Sequence, residues 1–189
     1  MIILISTSPG GLLPTLLSRC LRLSFAPLPP EEMAEFLVSH KGMSQEKASL
    51  VASLAMGSLG RALNPEMEAF WERRRAWLEK IDSLSRDDPR GWMALAEELA
   101  SDREESLRFL EWLQSWYRDI LICSATGKNQ GMANQDMAKS IEGQAGLHGP
   151  ERILFLLSEA VRTEARIHRN FNRRMALEDL LRRVTESGF

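Results

Sequence analysis

The chain has 189 residues, with 24 Lys and Arg against 26 Asp and Glu, a formal net charge of −2. At 44% hydrophobic and 26% charged residues it has an ordinary globular composition, which excludes a wholly disordered chain. The near-neutral balance excludes a surface that is basic all over and leaves room only for a local patch. Cys20 and Cys123 are too few and too far apart for a disulfide framework or a four-ligand zinc site, so a reducing cytoplasm is the simplest compartment. No apolar run approaches the roughly 20 residues that cross a bilayer. The opening MIILIS lacks a basic leader and runs into Pro9-Gly10-Gly11, unlike an export signal.

Ile2 to Ile5 is a short branched run of the kind that forms a strand buried on both faces of a parallel sheet. Leu21, Leu23 and Phe25 alternate as a second strand, and Leu12 to Arg19 spells about two helical turns between them. Two strands without neighbours are marginal in water, so the expectation is a chain that begins inside a larger α/β domain.

From Pro30 onward the sequence reads as helix. Pro30 suits a first helical position, with Glu31 and Glu32 in the first turn and Phe36 and Leu37 on the apolar side. Ser44 caps a helix carrying Ala48, Val51, Ala52 and Ala55, stopped by Gly57. A short third helix covers 58–63, broken by Asn64-Pro65.

A longer array follows. Phe70, Trp77, Ile81 and Leu84 share a face, and Asp88 caps a helix with Pro89 at its first position. Ser101 and Glu104 form a capping box for a long helix that turns Leu110, Leu113, Trp116, Tyr117 and Ile120 inward. The stretch 124–135, rich in Gly, Asn and Gln, reads as a mobile connection. Pro150 opens another long helix, and Leu177, Leu180, Leu181 and Val184 line the last. Arg73-Arg74-Arg75 reads as an exposed face.

Self-contained catalysis has little support: there is no GxxxxGK[ST], HExxH, GxSxG or CxxC. His40, His148 and His168 are scattered, and no metal site is expected. A strand ending at Ser6-Thr7 would put a hydroxyl at the carboxyl edge of a sheet, where ligands of open α/β folds bind. On spacing alone, Thr7 reads as an ordinary strand terminus and Arg19 as a solvated surface arginine.

The stretch Ile5-Ser-Thr-Ser-Pro-Gly-Gly-Leu-Leu-Pro-Thr-Leu-Leu-Ser-Arg-Cys20 resembles the end of the AAA+ domain of bacterial replicative clamp-loader subunits. The resemblance implies that Thr7 is the sensor-1 position and that Ser18, Arg19 and Cys20 form the trans-acting Ser-Arg-Cys motif. Its arginine reaches ATP bound by a neighbouring subunit. Gly57-Ser-Leu-Gly-Arg-Ala-Leu63 resembles the sensor-2 helix of the family, with Gly60 where hydrolysing subunits carry the nucleotide-contacting arginine. Arg61 is one residue late, a rotation of about 100°. That departure resembles the delta-prime family of DNA polymerase III subunits, which do not hydrolyse ATP. Asn170-Phe-Asn-Arg-Arg-Met-Ala-Leu-Glu-Asp-Leu-Leu181 resembles that family's last collar helix.

The implied fold is mainly α. A remnant of an α/β AAA+ core (1–27) precedes a three-helix lid (28–65) and a helical oligomerisation collar (66–189). The implied function is that of a non-hydrolysing subunit of the DNA-directed DNA polymerase (nucleotidyltransferase) holoenzyme. It stimulates ATP hydrolysis by a neighbour, with gamma/tau and delta subunits, the sliding clamp and primed DNA as partners. No cofactor is expected in these residues and no membrane is involved. A hydrolysing gamma/tau subunit and a generic helical interaction module remain open, as does a role for upstream sequence in binding nucleotide or zinc. Arg162, Arg166, Arg169, Arg173, Arg174, Arg182 and Arg183 form either a stripe facing nucleic acid or a solvated face with contacts to neighbouring subunits.

Overall fold

The computed structural model describes residues 2–6, 11–65, 67–128 and 131–186, apart from the side chain of residue 68. Helix α1 (Pro14–Leu17) is a single turn opened by Pro14, with Ser18 N–H donating back to Pro14 O at 3.0 Å. It is shorter than the two turns expected, because Arg19 N–H and Cys20 N–H close three-residue turns onto Leu16 O and Leu17 O. The two expected strands are also absent: no strand occurs among the described residues. Ile5 is 94% and Phe25 92% exposed. A strand needs a neighbour to take up its N–H and C=O groups, and neither segment lies beside one.

Three helices then pack around one small core. They are α2 (Pro30–Lys41), α3 (Gln45–Leu54) and α4 (Leu59–Ala62). Pro30 sits in the first turn of α2 with Glu31 and Glu32, and left-handed Gly42 ends it. Ser44 Oγ accepts from Lys47 N–H and Ser58 Oγ from Arg61 N–H, capping α3 and α4. Met33, Leu37, Val51 and the alanines at 34, 48, 52, 55 and 62 form the core. The small side chains let α2 and α3 approach closely. Gly57 at φ +79° lets the chain reverse after α3, and its carbonyl accepts Leu28 N–H at 3.0 Å.

The rest is a helical array of α5 (Met67–Asp82), α6 (Pro89–Ala100), α7 (Arg103–Thr126), α8 (Ala138–Leu147), α9 (Pro150–His168) and α10 (Arg173–Thr185). Its centre is aromatic: Trp77 meets Phe109 edge-on at 5.5 Å between ring centroids, and Trp112 stands 5.5 Å from Trp77 and 6.0 Å from Trp116. Such contacts add about 0.5–1.5 kcal/mol each beyond area burial. Asp88 caps α6 as expected, accepting from Arg90 N–H at 3.1 Å. The cap of α7, however, is Asp102, which accepts from Glu105 N–H at 3.0 Å. Ser101 instead closes α6, so the expected capping box starts one residue early. Asn170 at φ +60° ends α9, and Asn172 Oδ1 caps α10 through Met175 N–H at 3.1 Å.

The connection expected to be mobile is partly helix and partly pinned. α7 runs on to Thr126 before left-handed Gly127 stops it. Met132, Ala133 and Asn134 are buried, leading into a 3-10 turn at Gln135–Met137 and then α8. Side chains from α5 and α7 hold that segment in place, overriding its loop-like composition.

Candidate functional site

Arg19 lies in the turn just after α1 and is exposed, with no ion pair or side-chain hydrogen bond among the described residues. Ser18 caps the C-terminus of α1, its Oγ donating to Thr15 O at 3.2 Å, and Cys20 is an exposed free thiol. The motif therefore presents its guanidinium outward while its serine is used in the local turn. Thr7 lies outside the described residues.

Gly60 is inside α4, and a Cβ there would meet only Ser58 Oγ, at 3.9 Å. Neither crowding nor backbone conformation demands glycine at this position. Arg61 forms an ion pair with Glu111 of α7, so its charge is directed to the larger array. A groove of about 640 Å³ separates α2 and α3 from Arg118 and the 131–135 segment. Glu31 and Glu35 on its wall disfavour a phosphate there.

The C-terminal arginines are largely spent inside the chain. Arg166 pairs with Asp179, Arg174 with Glu178 and Glu97, Arg182 with Asp179 and Glu186, and Arg183 with Asp179 and Glu159. Arg173 Nε donates to Ala100 O at 3.1 Å. Partial burial would lift the Asp179 carboxyl, but hydrogen bonds from Arg183, Arg182 and Arg166 hold it below its ordinary 3.8. A depressed carboxyl contributes stability that is present above its unfolded value and is lost as the pH falls through the lower folded one. Asp179→Asn is accordingly expected to flatten the acid limb of stability below about pH 4, by under about 1 kcal/mol for such a part-exposed cluster. Urea midpoints of both proteins between pH 5 and 2.5 check this.

Arg74, expected on an exposed face, is fully buried. Its guanidinium donates to Asn134 Oδ1 and Asp136 Oδ2, both at 2.8 Å. Asp119 of α7, also fully buried, accepts Ala133 N–H at 3.1 Å, Asn134 N–H at 2.8 Å and Asn134 Nδ2 at 2.7 Å. Desolvation lowers the Arg74 pKa against the pull of Asp136. This polar core was missed from sequence, although a signal was there. Arg74 falls four residues after Phe70 and three before Trp77, and Asp119 three after Trp116 and four before Cys123. A charge in register with a buried stripe marks a paired buried ion.

A family model described as DNA polymerase III, delta subunit, C terminal matches residues 68–186. DNA polymerase III subunit delta′ of Escherichia coli (strain K12) is 29% identical over 188 residues, covering 96% of this chain and 53% of that protein. Its counterpart from Bacillus subtilis (strain 168) is 23% identical over 189 residues, covering 98% and 57%. The chain thus spans about half the length of the curated relatives it matches. With the matched stretch running from the start of α5 to the end of α10 and taking in the whole aromatic core, the chain belongs to the family defined by the C-terminal region of DNA polymerase III delta subunits.

Proposed function

We propose that this chain is part of a non-hydrolysing clamp-loader subunit of the bacterial DNA polymerase III holoenzyme, acting in the cytoplasm with gamma/tau and delta subunits. In this reading residues 1–27 end an AAA+ core, 28–65 form its lid and 66–189 its collar. Ile2–Ile5 and Leu21–Phe25 then pair as strands in the completed sheet, and their exposure here supports a cover of that kind. Arg19 supplies a trans arginine finger to ATP held by a neighbour, and the assembled loader places the sliding clamp on primed DNA.

The observation that carries this reading is the exposed guanidinium of Arg19, without an ion pair or side-chain hydrogen bond among the described residues, beside exposed Cys20. Phosphoryl transfer spreads negative charge over the γ-phosphate oxygens, and a planar guanidinium engages two of them at once. Such fingers contribute roughly 10³–10⁵ in rate in other nucleotide hydrolases. Delivered from outside the site, the charge makes turnover depend on correct assembly. Gly60, without a side chain to contact nucleotide, supports a chain that does not hydrolyse ATP in its own site.

In the loader assembled from the full-length protein, Arg19→Ala is expected to lower DNA- and clamp-stimulated ATP hydrolysis by roughly tenfold or more, with assembly intact. Arg19→Lys keeps the charge but loses the fork, and should restore only part of the rate. Unchanged turnover in an assembled Arg19→Ala complex would remove the finger assignment.

A further inference from the structure

Helices α2–α4 and helices α5–α10 each close around a core of their own, and the two units meet at a narrow joint. Met67, the first residue of α5, packs against the small core, whereas Phe70, three residues later, packs against the large one. Elsewhere gaps part the units. The groove of about 640 Å³ separates α2 and α3 from Arg118 and the 131–135 segment. A second cavity, of about 390 Å³, is lined by Val51, Leu54 and Ala62 of the small unit and by Met67 and Trp71 of α5. Side chains across such gaps lack the dispersion contacts of a packed interior, so packing fixes the angle between the units only weakly.

An ion pair crosses from one unit to the other. Arg61, on α4, meets Glu111, on α7, and the two side chains remain 45% and 37% exposed. Ala62 beside Arg61 is buried in the small core, and Leu110 and Trp112 beside Glu111 are buried in the large one. Each charge is therefore mounted on an element anchored in its own core, and a change of angle pulls the two apart. An exposed pair adds little to folding stability. The balance between two angles of a loosely packed joint is small as well, and a modest attraction is enough to decide it. Leu28 N–H donates to Gly57 O at 3.0 Å, so the segment that leads from Arg19 into α2 moves with the small unit.

We propose that the Arg61–Glu111 pair is a salt-sensitive latch that sets the angle of the α2–α4 unit on the α5–α10 array. Opening it lets the small unit swing about the start of α5. The test measures distances in the full-length protein by electron–electron double resonance, with spin labels on non-natural side chains at exposed positions 46 of α3 and 139 of α8. One dominant distance is expected for the protein with its latch intact. Glu111→Gln should raise the population at other distances roughly two- to fivefold, the factor for an exposed pair, and Arg61→Glu should raise it further. The double reversal, Arg61→Glu with Glu111→Arg, should bring the dominant distance back. High salt should move the intact protein towards the Glu111→Gln distribution and leave Glu111→Gln itself unmoved. Lys80→Glu, which breaks an exposed pair with Glu98 inside the larger array, should change nothing. Far-UV circular dichroism checks that each variant is folded. Unchanged distances in folded Glu111→Gln and Arg61→Glu overturn the proposal. So does a double reversal that stays displaced, or a broad distribution with the latch intact. No nucleotide or partner enters the measurement, so its failure leaves the loader reading standing, and failure of that reading leaves the latch standing.

Discussion

Asp119→Ala is expected to destabilise the protein by about 3–5 kcal/mol, the range for removing one partner of a buried charged network. The carboxylate spans the base of the 131–137 segment, taking the main-chain N–H groups of Ala133 and Asn134 and the side-chain amide of Asn134. Without it those donors stay buried and unsatisfied, at about 1–3 kcal/mol for such a group. Asn134, still bound to Arg74 and to Ser115 Oγ of α7, would lose the carboxylate that takes its main-chain N–H. Asp119→Asn separates charge from geometry. One amide oxygen can replace one carboxylate oxygen, but the NH₂ then faces donors, so an intermediate loss is expected. Urea unfolding of the three proteins measures the order, and a loss below about 1 kcal/mol for Asp119→Ala would mean that the segment is held by other contacts. Burial lifts the Asp119 carboxyl above its ordinary range, against the donors of Asn134 and Ala133. Its proton affinity is therefore greater in the folded state, and moderate acid does not loosen this site as it loosens Asp179.

Gly57→Ala is the second large effect. At φ +79° an alanine is strained whatever the space around it, and here the space is missing. The new Cβ would lie 2.3 Å from Pro27 Cβ and 2.8 Å from Pro27 Cα, atoms of a rigid ring and of the main chain. Left-handed strain of roughly 1–2 kcal/mol adds to overpacking of roughly 1–3 kcal/mol. The alternative to that cost is for Pro27 to swing away, breaking the hydrogen bond from Leu28 N–H to Gly57 O. Either a lowered melting temperature or faster hydrogen exchange at the Leu28 amide is expected. Wild-type values of both would show that the reversal after α3 does not depend on this contact.

The helices were legible because their ends carry explicit chemistry. Pro30, Ser44, Asp88, Pro150 and Asn172 each stand where a helix starts. Ser101 misled because Asp102 beside it is an equally good cap and sits where the chain leaves the helical conformation. The Gly- and Asn-rich loop misled for a different reason. Its order comes from Asp119, at least 14 positions away in sequence, and local composition carries no trace of that bond. The strands are the reverse case: Ile2–Ile5 and Leu21–Phe25 carry the pattern, but pairing is a property of two adjoining segments, and among the described residues neither lies in a strand. For the candidate finger, spacing alone already reads Arg19 as a solvated arginine, and the fold agrees, with Arg19 exposed in the turn after α1.

The open surroundings of Gly60 bear on the proposal that this chain does not contact nucleotide through α4. Glycine costs a helix interior roughly 0.5–1 kcal/mol relative to alanine, and nothing within 3.9 Å of the missing methyl repays it. The fold would accept a Cβ there without displacing a neighbour. In the proposed reading, the step towards a nucleotide-contacting chain begins with a substituent whose first atom the backbone of α4 already has room to carry.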